Sequence, residues 1–176
     1  SSDGSMPLLA PMSTIAGQLA FVVGSYHLLK HNKGKGVMIG HMDDMEPRVV
    51  TVIGAGVAGT QSILKAIDNK ALVKVVDSSQ SKLDDLKSKY ETENVEYILS
   101  TKDSIQVSVN ESDLVIGSVY VVGKEAPKVV TKEMLSSMNP GTVMVDVSID
   151  QGGCFETSKP TTHDSPTFLE NDIVHY

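Results

Sequence analysis

The stretch "VVTVIGAGVAGTQSILKAIDNKALVKVVD", residues 49–77, decides the fold class of this chain. An apolar, β-branched run meets three glycines, a segment with helical spacing follows, and a second apolar run ends at an acid. Short apolar runs are typical of buried parallel strands, and a helix between two such strands forms a βαβ unit. The stretch therefore predicts a parallel sheet that begins about a third of the way along the 176 residues.

The rest of the chain continues the alternation of strands and helices. Short apolar runs predict strands at 49–54, 72–77, 95–100, 113–119, 142–149 and 172–176. Helical spacing predicts helices at 57–69, 80–90, 104–109 and 131–138. Alternating strands and helices build parallel sheets that are covered on both faces. We therefore expect an α/β fold: a Rossmann-type, doubly wound parallel sheet of about six strands with flanking helices.

A long helix is predicted before this sheet. Apolar residues recur at helical spacing over residues 13–30, at Ile15, Leu19, Val22, Val23, Tyr26 and Leu29. Residues 31–47 then place glycines and a proline around a short apolar run, which predicts a connector with a brief hairpin.

Composition and charge exclude several classes of function. The net charge is −7 and there is no basic block, so nucleic acid is not an expected partner. No apolar run reaches the roughly 18 residues of a membrane span, and no positively charged leader precedes an apolar segment. The single cysteine, Cys154, cannot form an internal disulfide and favours a reducing, cytoplasmic compartment. No metal site is predicted.

Gly54, Gly56 and Gly59 form the pattern G-x-G-x-x-G between the first strand and its helix. The first glycine permits the tight turn, the second lets a pyrophosphate approach the backbone, and the third lets helix and strand pack closely. Asp77 follows Gly59 by 18 residues (77 − 59), near the spacing of about 20 expected for a dinucleotide site. The alternative is an ordinary βαβ turn without a ligand.

Asp77 also bears on the choice of cofactor. A carboxylate at this position accepts the ribose hydroxyls of NAD but repels the 2′-phosphate of NADP. Ser78, Ser79 and Lys82 supply donors and one positive charge that soften this repulsion. NAD is the predicted cofactor; the alternative reading of Asp77 is a solvated acid at the end of a strand.

Three parts of the chain divide by these features. Residues 1–6 are expected to be a flexible tail or a remnant of an expression tag. Residues 7–48 are expected to form the first helix and its connector, packed on the domain. Residues 49–176 are expected to form the NAD-binding domain.

Four segments resemble the alanine dehydrogenases: "PLLAPMSTIAG" (7–17), "VIGAGVAG" (52–59), residues 112–135, and "PGTVMVDVSIDQGGCFETSKPTTHDSPTF" (140–168). The resemblance implies NAD-dependent, reversible oxidative deamination of L-alanine to pyruvate and ammonia. The NAD-binding part of proton-translocating transhydrogenases is similar but usually lacks an acid at the position of Asp150. A transhydrogenase component and a cofactor-binding module without chemistry remain the alternatives.

The resemblance also implies roles for individual residues. Ser13 would reach the cofactor phosphate, Asp77 the adenine ribose with Lys82 beside it, and Ser100 the adenine. The pyrophosphate would lie on the turn formed by Gly54, Ala55, Gly56, Val57, Ala58 and Gly59. Val119 and Tyr120 would flank the nicotinamide, where Tyr120 replaces an expected aliphatic residue. Val147 and Asp150 would close over the nicotinamide ribose.

Asp150 is the single catalytic residue predicted here. A carboxylate beside the reacting carbon orients water or ammonia and stabilises developing positive charge. The alternative is an aspartate that caps the turn before Gly152.

The resemblance further implies a substrate-binding domain that is absent from this chain. In the family, that domain supplies the Arg and Lys that hold the substrate carboxylate and a His that serves as acid and base. We therefore expect the 176 residues alone to bind NAD weakly and not to turn over. The full-length enzyme is expected to be a homo-oligomer that assembles through this half and its first helix.

Overall fold

The computed structural model describes residues 9–30, 32–40 and 43–176, with side chains from residue 11 onward. The predicted tail at 1–6 lies outside this range. The helices are α1 Leu9–Leu29, α2 Val57–Asp68, α3 Gln80–Lys89, α4 Lys102–Asn110 and α5 Lys132–Leu135. The strands are β1 Val49–Ile53, β2 Leu72–Asp77, β3 Val95–Leu99, β4 Leu114–Gly117, β5 Val143–Asp146, β6 Phe168–Glu170 and β7 Ile173–His175.

The seven strands found in the described residues form one sheet in the order β3-β2-β1-β4-β5-β7-β6. Neighbours are parallel from β3 to β7, as the alternation of strands and helices predicts. The parallel α/β fold is therefore confirmed.

The edge strand β6 is antiparallel to β7 and was missed by the sequence prediction, which counted about six strands and placed none between 142–149 and 172–176. A two-residue turn joins β6 to β7, with positive φ at Asn171 (51°) and Asp172 (61°). Positive φ at both central residues is the requirement of a type I′ hairpin, which asparagine and aspartate tolerate. The pair "ND" between two apolar runs was the available signal.

Helices cover both faces of the sheet and enclose two cores. On one face, side chains of α1, α2 and α3 pack on the sheet; their largest buried members include Leu28, Ile63 and Leu83. On the other face, α4, α5 and the loop after β5 contribute Ile105, Met134 and Phe155. The central strands are buried on both sides, which explains their nearly continuous apolar sequences.

Helix α1 confirms the predicted first helix but packs by an unexpected face. Its buried residues include Gly17, Ala20, Phe21, Gly24 and Leu28. Five of the six apolar residues that predict the helix, Ile15, Leu19, Val22, Tyr26 and Leu29, are exposed, together with Met12. No helix in the described ranges is both long and apolar enough to cross a membrane.

The predicted hairpin in the connector is wrong for the part that the structure describes. Residues 32–40 and 43–48 form turns and extended segments with no strand. Lys35 anchors this connector, since its Nζ donates to Asp113 Oδ1 at 2.7 Å. Asp113 Oδ2 also accepts from the Val49 backbone N–H at 2.9 Å, so one carboxylate holds the connector at the start of β1.

Candidate functional site

The candidate site lies at the carboxyl ends of β1 and β4. The connection from β1 runs to β2 on one side, whereas β4 and β5 lie on the other, so the strand order reverses between β1 and β4. In open α/β sheets, ligands bind in the crevice outside such a reversal point.

The glycine turn between β1 and α2 shows three different geometries. Gly54 has φ +98°, and a Cβ there would lie 2.6 Å from the Ser118 carbonyl oxygen. A Cβ at Gly59 would lie 1.8 Å from the Gly54 carbonyl oxygen. A Cβ at Gly56 would meet nothing within 4 Å. The fold thus requires the first and third glycines, as predicted, while Gly56 faces open space at the N-terminus of α2.

Asp77 ends β2 and is buried beside this turn. Its Oδ2 accepts from the Ala55 backbone N–H at 2.7 Å, and its Oδ1 accepts from the Ser79 N–H at 2.8 Å. The reading of Asp77 as a solvated acid is therefore wrong, since the side chain ties β2 to the glycine turn. Each carboxylate oxygen retains a lone pair for a further donor.

Lys82 lies in the first turn of α3, and Ser100 follows β3 directly. Lys82 and Ala55 line a cavity of about 190 Å³ between α2 and α3. The Ser100 N–H donates to the Asp77 carbonyl oxygen at 2.9 Å, which places Ser100 at the carboxyl end of β3. Ser100 thus lies beside Asp77, and Lys82 lines the cavity that also includes Ala55 of the glycine turn.

Two serines link the loops at this end of the sheet: Ser118 joins the loop after β4 to the glycine turn, and Ser148 joins the loop after β5 to the loop after β4. Ser118 Oγ donates to the Gly54 carbonyl oxygen at 2.7 Å, and Ser148 Oγ donates to the Val119 carbonyl oxygen at 2.8 Å. The Val147 N–H donates to the Gly117 carbonyl oxygen at 2.8 Å. Val119 and Val147 therefore lie on the same edge of the sheet as the glycine turn. The sequence analysis missed both serines, whose only signal was their position just after a strand.

Tyr120 and Asp150 are exposed on the loops that follow β4 and β5. Tyr120 is 61% exposed. Asp150 lies in a 3-10 turn, Ile149–Gln151, that leads into Gly152. At Gly17, α1 crosses the start of α2, and a Cβ on Gly17 would lie 2.0 Å from the Ala58 carbonyl oxygen. Ser13 lies about one turn of α1 before this crossing.

Asp146 is a buried carboxylate at the end of β5 that the sequence analysis did not single out. It accepts from the backbone N–H groups of Ser148 and Cys154, each at 2.9 Å. The bond to Ser148 turns the chain, so β5 ends at Asp146 and not at the predicted residue 149. Burial, and then the charge of Asp146, raises the pKa of the Cys154 thiol well above its ordinary value. Cys154 is thus an unreactive packing residue.

A protein-family model matches most of the chain. The model of the family "Alanine dehydrogenase/PNT, C-terminal domain" matches residues 20–176. Among curated proteins, the chain is 47% identical over 174 residues to an alanine dehydrogenase of Halomonas elongata and 45% identical over 175 residues to one of Mycobacterium tuberculosis. Each alignment covers 99% of this chain and 47% of the relative, so the chain spans about half the length of the relatives it matches.

Solved structures show the same relationship. An L-alanine dehydrogenase superposes with a TM-score of 0.94 at 38% identity, over 99% of this chain and 48% of the other. A transhydrogenase from Sinorhizobium meliloti superposes with a TM-score of 0.81 at 24% identity, over 97% of this chain and 48% of the other, which shows a shared fold.

Proposed function

Because this chain belongs to the alanine dehydrogenase/PNT C-terminal domain family, we propose that it is the NAD(H)-binding domain of an alanine dehydrogenase. The full-length enzyme would interconvert L-alanine and pyruvate plus ammonia. The substrate domain would be supplied by the half of the relatives' length that this chain does not span.

The observation that carries cofactor binding is the open space at Gly56. The protein's own atoms explain why Gly54 and Gly59 are glycine, but nothing within 4 Å of Gly56 excludes a Cβ. A ligand that approaches the backbone explains a glycine at this position. The first N–H groups of α2 have no partners within the helix and lie at its positive end, where a pyrophosphate binds.

Asp77 supports NAD over NADP. Its carboxylate is held rigidly by two backbone N–H groups and keeps acceptor capacity for the ribose hydroxyls. A 2′-phosphate at the same place would bring like charges together, with Lys82 as the predicted compensating cation.

In the proposed mechanism, bound NAD would supply the hydride acceptor. Asp150, exposed on the loop after β5, would orient the water that attacks the imine carbon and would stabilise positive charge on the nitrogen. Val147 and the loop bearing Val119 would form the wall that keeps bulk water from the reacting carbon. Groups from the missing domain would hold the substrate carboxylate.

Calorimetric titration of this chain with NAD and NADP tests the cofactor. We expect weak NAD binding and barely detectable NADP binding. Asp77→Asn should lower the affinity for NAD about 10- to 100-fold, because hydrogen bonds to a charged acceptor are lost. The difference between the affinities for NAD and NADP should become smaller. Asp68→Asn, at the opposite end of α2, is the control and should leave both affinities unchanged. Equal affinity for NAD and NADP in the unmodified chain would contradict the assignment.

Activity assays separate the two enzyme readings. The full-length protein should reduce NAD in the presence of L-alanine, whereas the 176-residue chain should not. Hydride exchange between NADH and an NADPH analogue in a reconstituted assembly, without alanine-dependent reduction, would favour the transhydrogenase. NAD binding without either reaction would favour a module without chemistry.

We further propose that the full-length enzyme is a homo-oligomer that assembles through α1. The exposed residues of α1, between 51% and 67% exposed, form a stripe with alternating spacings of three and four: Met12, Ile15, Leu19, Val22, Tyr26 and Leu29. This spacing places them on one side of the helix, as in helix pairs that bury a shared apolar seam. A second copy of α1 is the expected occupant.

A cytoplasmic location stays a prediction from the single cysteine.

Sedimentation of the full-length protein tests this assembly. Leu19→Glu should lower the oligomeric state, because a charge in an apolar seam is not compensated. Val107→Glu, which adds the same charge at an exposed valine of α4, should not. An unchanged oligomer for Leu19→Glu would show that α1 is not the interface.

A further inference from the structure

Asp150 precedes a turn that is formed by two glycines. Gly152 and Gly153 are adjacent and both have positive φ, +87° and +79°. Their N–H groups donate within the turn, to the carbonyl oxygens of Ile149 at 3.1 Å and Ser148 at 3.0 Å. Because glycine loses more conformational freedom on ordering than any other residue, such a turn needs further contacts to keep one geometry.

Lys128 provides those contacts from the loop that follows β4. Its Nζ donates to the carbonyl oxygen of Gly153 at 2.7 Å and also to that of Gly152. Hydrogen bonds from an ammonium group are stronger than those between neutral groups. The Glu125 carboxylate is 3.9 Å from the same nitrogen and largely exposed, so this ion pair competes weakly.

The main chain around Lys128 binds the same segment. The Ala126 N–H donates to the Gln151 carbonyl oxygen at 2.9 Å, and the Val129 N–H donates to the Cys154 carbonyl oxygen at 2.8 Å. The loops after β4 and β5 therefore form one ribbon. Within it, Lys128 is the side chain that spans the glycine turn.

We propose that Lys128 is a positioning residue, which orders the Gly152–Gly153 turn and thereby holds Asp150 in one orientation. This role rests on the proposed function, since it matters for chemistry only if Asp150 acts at the reacting carbon. Lys128 acts through the turn because its ammonium group is engaged with two backbone carbonyls.

Hydrogen exchange on this chain tests the structural half of the proposal. Lys128→Met keeps the aliphatic stem but removes the donors, so the Gly152 and Gly153 amides should exchange at least about tenfold faster, while the amides of β1 and β4 keep their rates. Lys124→Met, an exposed lysine on the same loop, should change neither. Equal exchange in Lys128→Met and the unmodified chain would overturn the proposal.

Kinetics on the full-length protein test the functional half. Lys128→Met should lower kcat about 10- to 100-fold, the cost expected for a misplaced catalytic group, and change KM for NAD less than about twofold. Lys128→Arg, which retains the charged donors, should restore most of the rate. In an Asp150→Asn background, Lys128→Met should add little further loss.

Two outcomes separate this proposal from the proposed function. If the full-length protein shows no alanine-dependent reduction of NAD, the proposed function fails, and hydrogen exchange alone decides whether Lys128 orders the turn. If activity is present but the losses from Lys128→Met and Asp150→Asn are independent, or KM for NAD rises in parallel, Lys128 does not act through Asp150.

Discussion

The three glycines of the motif do not have the same role: two are needed for folding, and Gly56 is proposed to serve ligand binding. Gly54 and Gly59 are required by contacts with the protein's own backbone. Gly56 adopts φ −77° and ψ −160°, an extended conformation open to other residues, and its neighbourhood is empty. The same residue type in one motif thus has a structural role at two positions and a proposed ligand role at the third.

Gly56→Ala should therefore fold but bind poorly. We expect the free energy of unfolding to fall by less than about 1 kcal/mol, because alanine is a somewhat poorer N-cap residue than glycine. The affinity for NAD should fall at least about tenfold, because the methyl group occupies the space of the pyrophosphate. Urea unfolding and calorimetry on the same sample measure both quantities.

Gly59→Ala is the contrasting variant. Its methyl group would overlap the Gly54 carbonyl oxygen, so it should destabilise the fold by about 1–3 kcal/mol or more. Unchanged NAD affinity in Gly56→Ala would remove the main support for the cofactor site.

At the scale of elements, the crossing of α1 and α2 depends on a close backbone approach. A Cβ at Gly17 would lie 2.0 Å from the Ala58 carbonyl oxygen, and Ser62 Oγ donates to the Gly17 carbonyl oxygen at 2.6 Å. The crossing therefore joins the first helix directly to the helix that carries the glycine turn. Spacing of large apolar residues does not report such a contact, which is made by small residues.

Gly17→Ala should destabilise the chain by about 1–3 kcal/mol, since the two helices must separate to admit the methyl group. At an exposed position in a helix, a change from glycine to alanine increases stability by roughly 0.5–1 kcal/mol. A decrease in stability at Gly17 would therefore show that packing against α2 outweighs the gain in helix propensity. Thermal unfolding monitored by circular dichroism measures it. An increase in stability would mean that α1 does not cross α2 at Gly17.

At the scale of the whole molecule, two buried histidines link stability to pH. Burial lowers the pKa of His175, whose Nε2 lies 2.7 Å from Thr157 Oγ1, and burial followed by Lys30 and Lys33 lowers the pKa of His27. In the unfolded chain both regain a pKa of about 6.5. Below pH 6.5 the unfolded state therefore binds more protons than the folded state. The contribution of the two neutral histidines to stability is present above pH 6.5 and is lost as the pH falls through their lower pKa in the folded state.

We expect the free energy of unfolding in urea to be lower at pH 5.5 than at pH 7.5, a range in which ordinary carboxylates stay ionised. The His175→Gln variant should have a lower free energy of unfolding than the unmodified chain at pH 7.5, but that free energy should fall less between pH 7.5 and 5.5. In His163→Gln, a change at an exposed position, the free energy of unfolding should fall as much on acidification as in the unmodified chain. The same pH dependence in His175→Gln and the unmodified chain would show that His175 does not titrate with unfolding.

The sequence by itself determined the alternation of strands and helices from β1 to β5, the parallel sheet, and the placement of Gly54, Gly59 and Asp77 at its carboxyl edge. These features depend on signals that neighbouring residues carry: apolar periodicity, β-branched runs and glycines at turns. Such signals survive without knowledge of what lies opposite them.

Only the tertiary structure decided which face of α1 packs, how β6 pairs with β7, and which side chains hold the site together. Asp77, Ser118 and Lys128 each bond to backbone atoms at least 22 residues away in sequence. No local pattern specifies such a partner, because the distance between the two groups is set by the assembled sheet. The sequence determines the chemistry of each residue, whereas the distances and angles between residues depend on packing between distant segments.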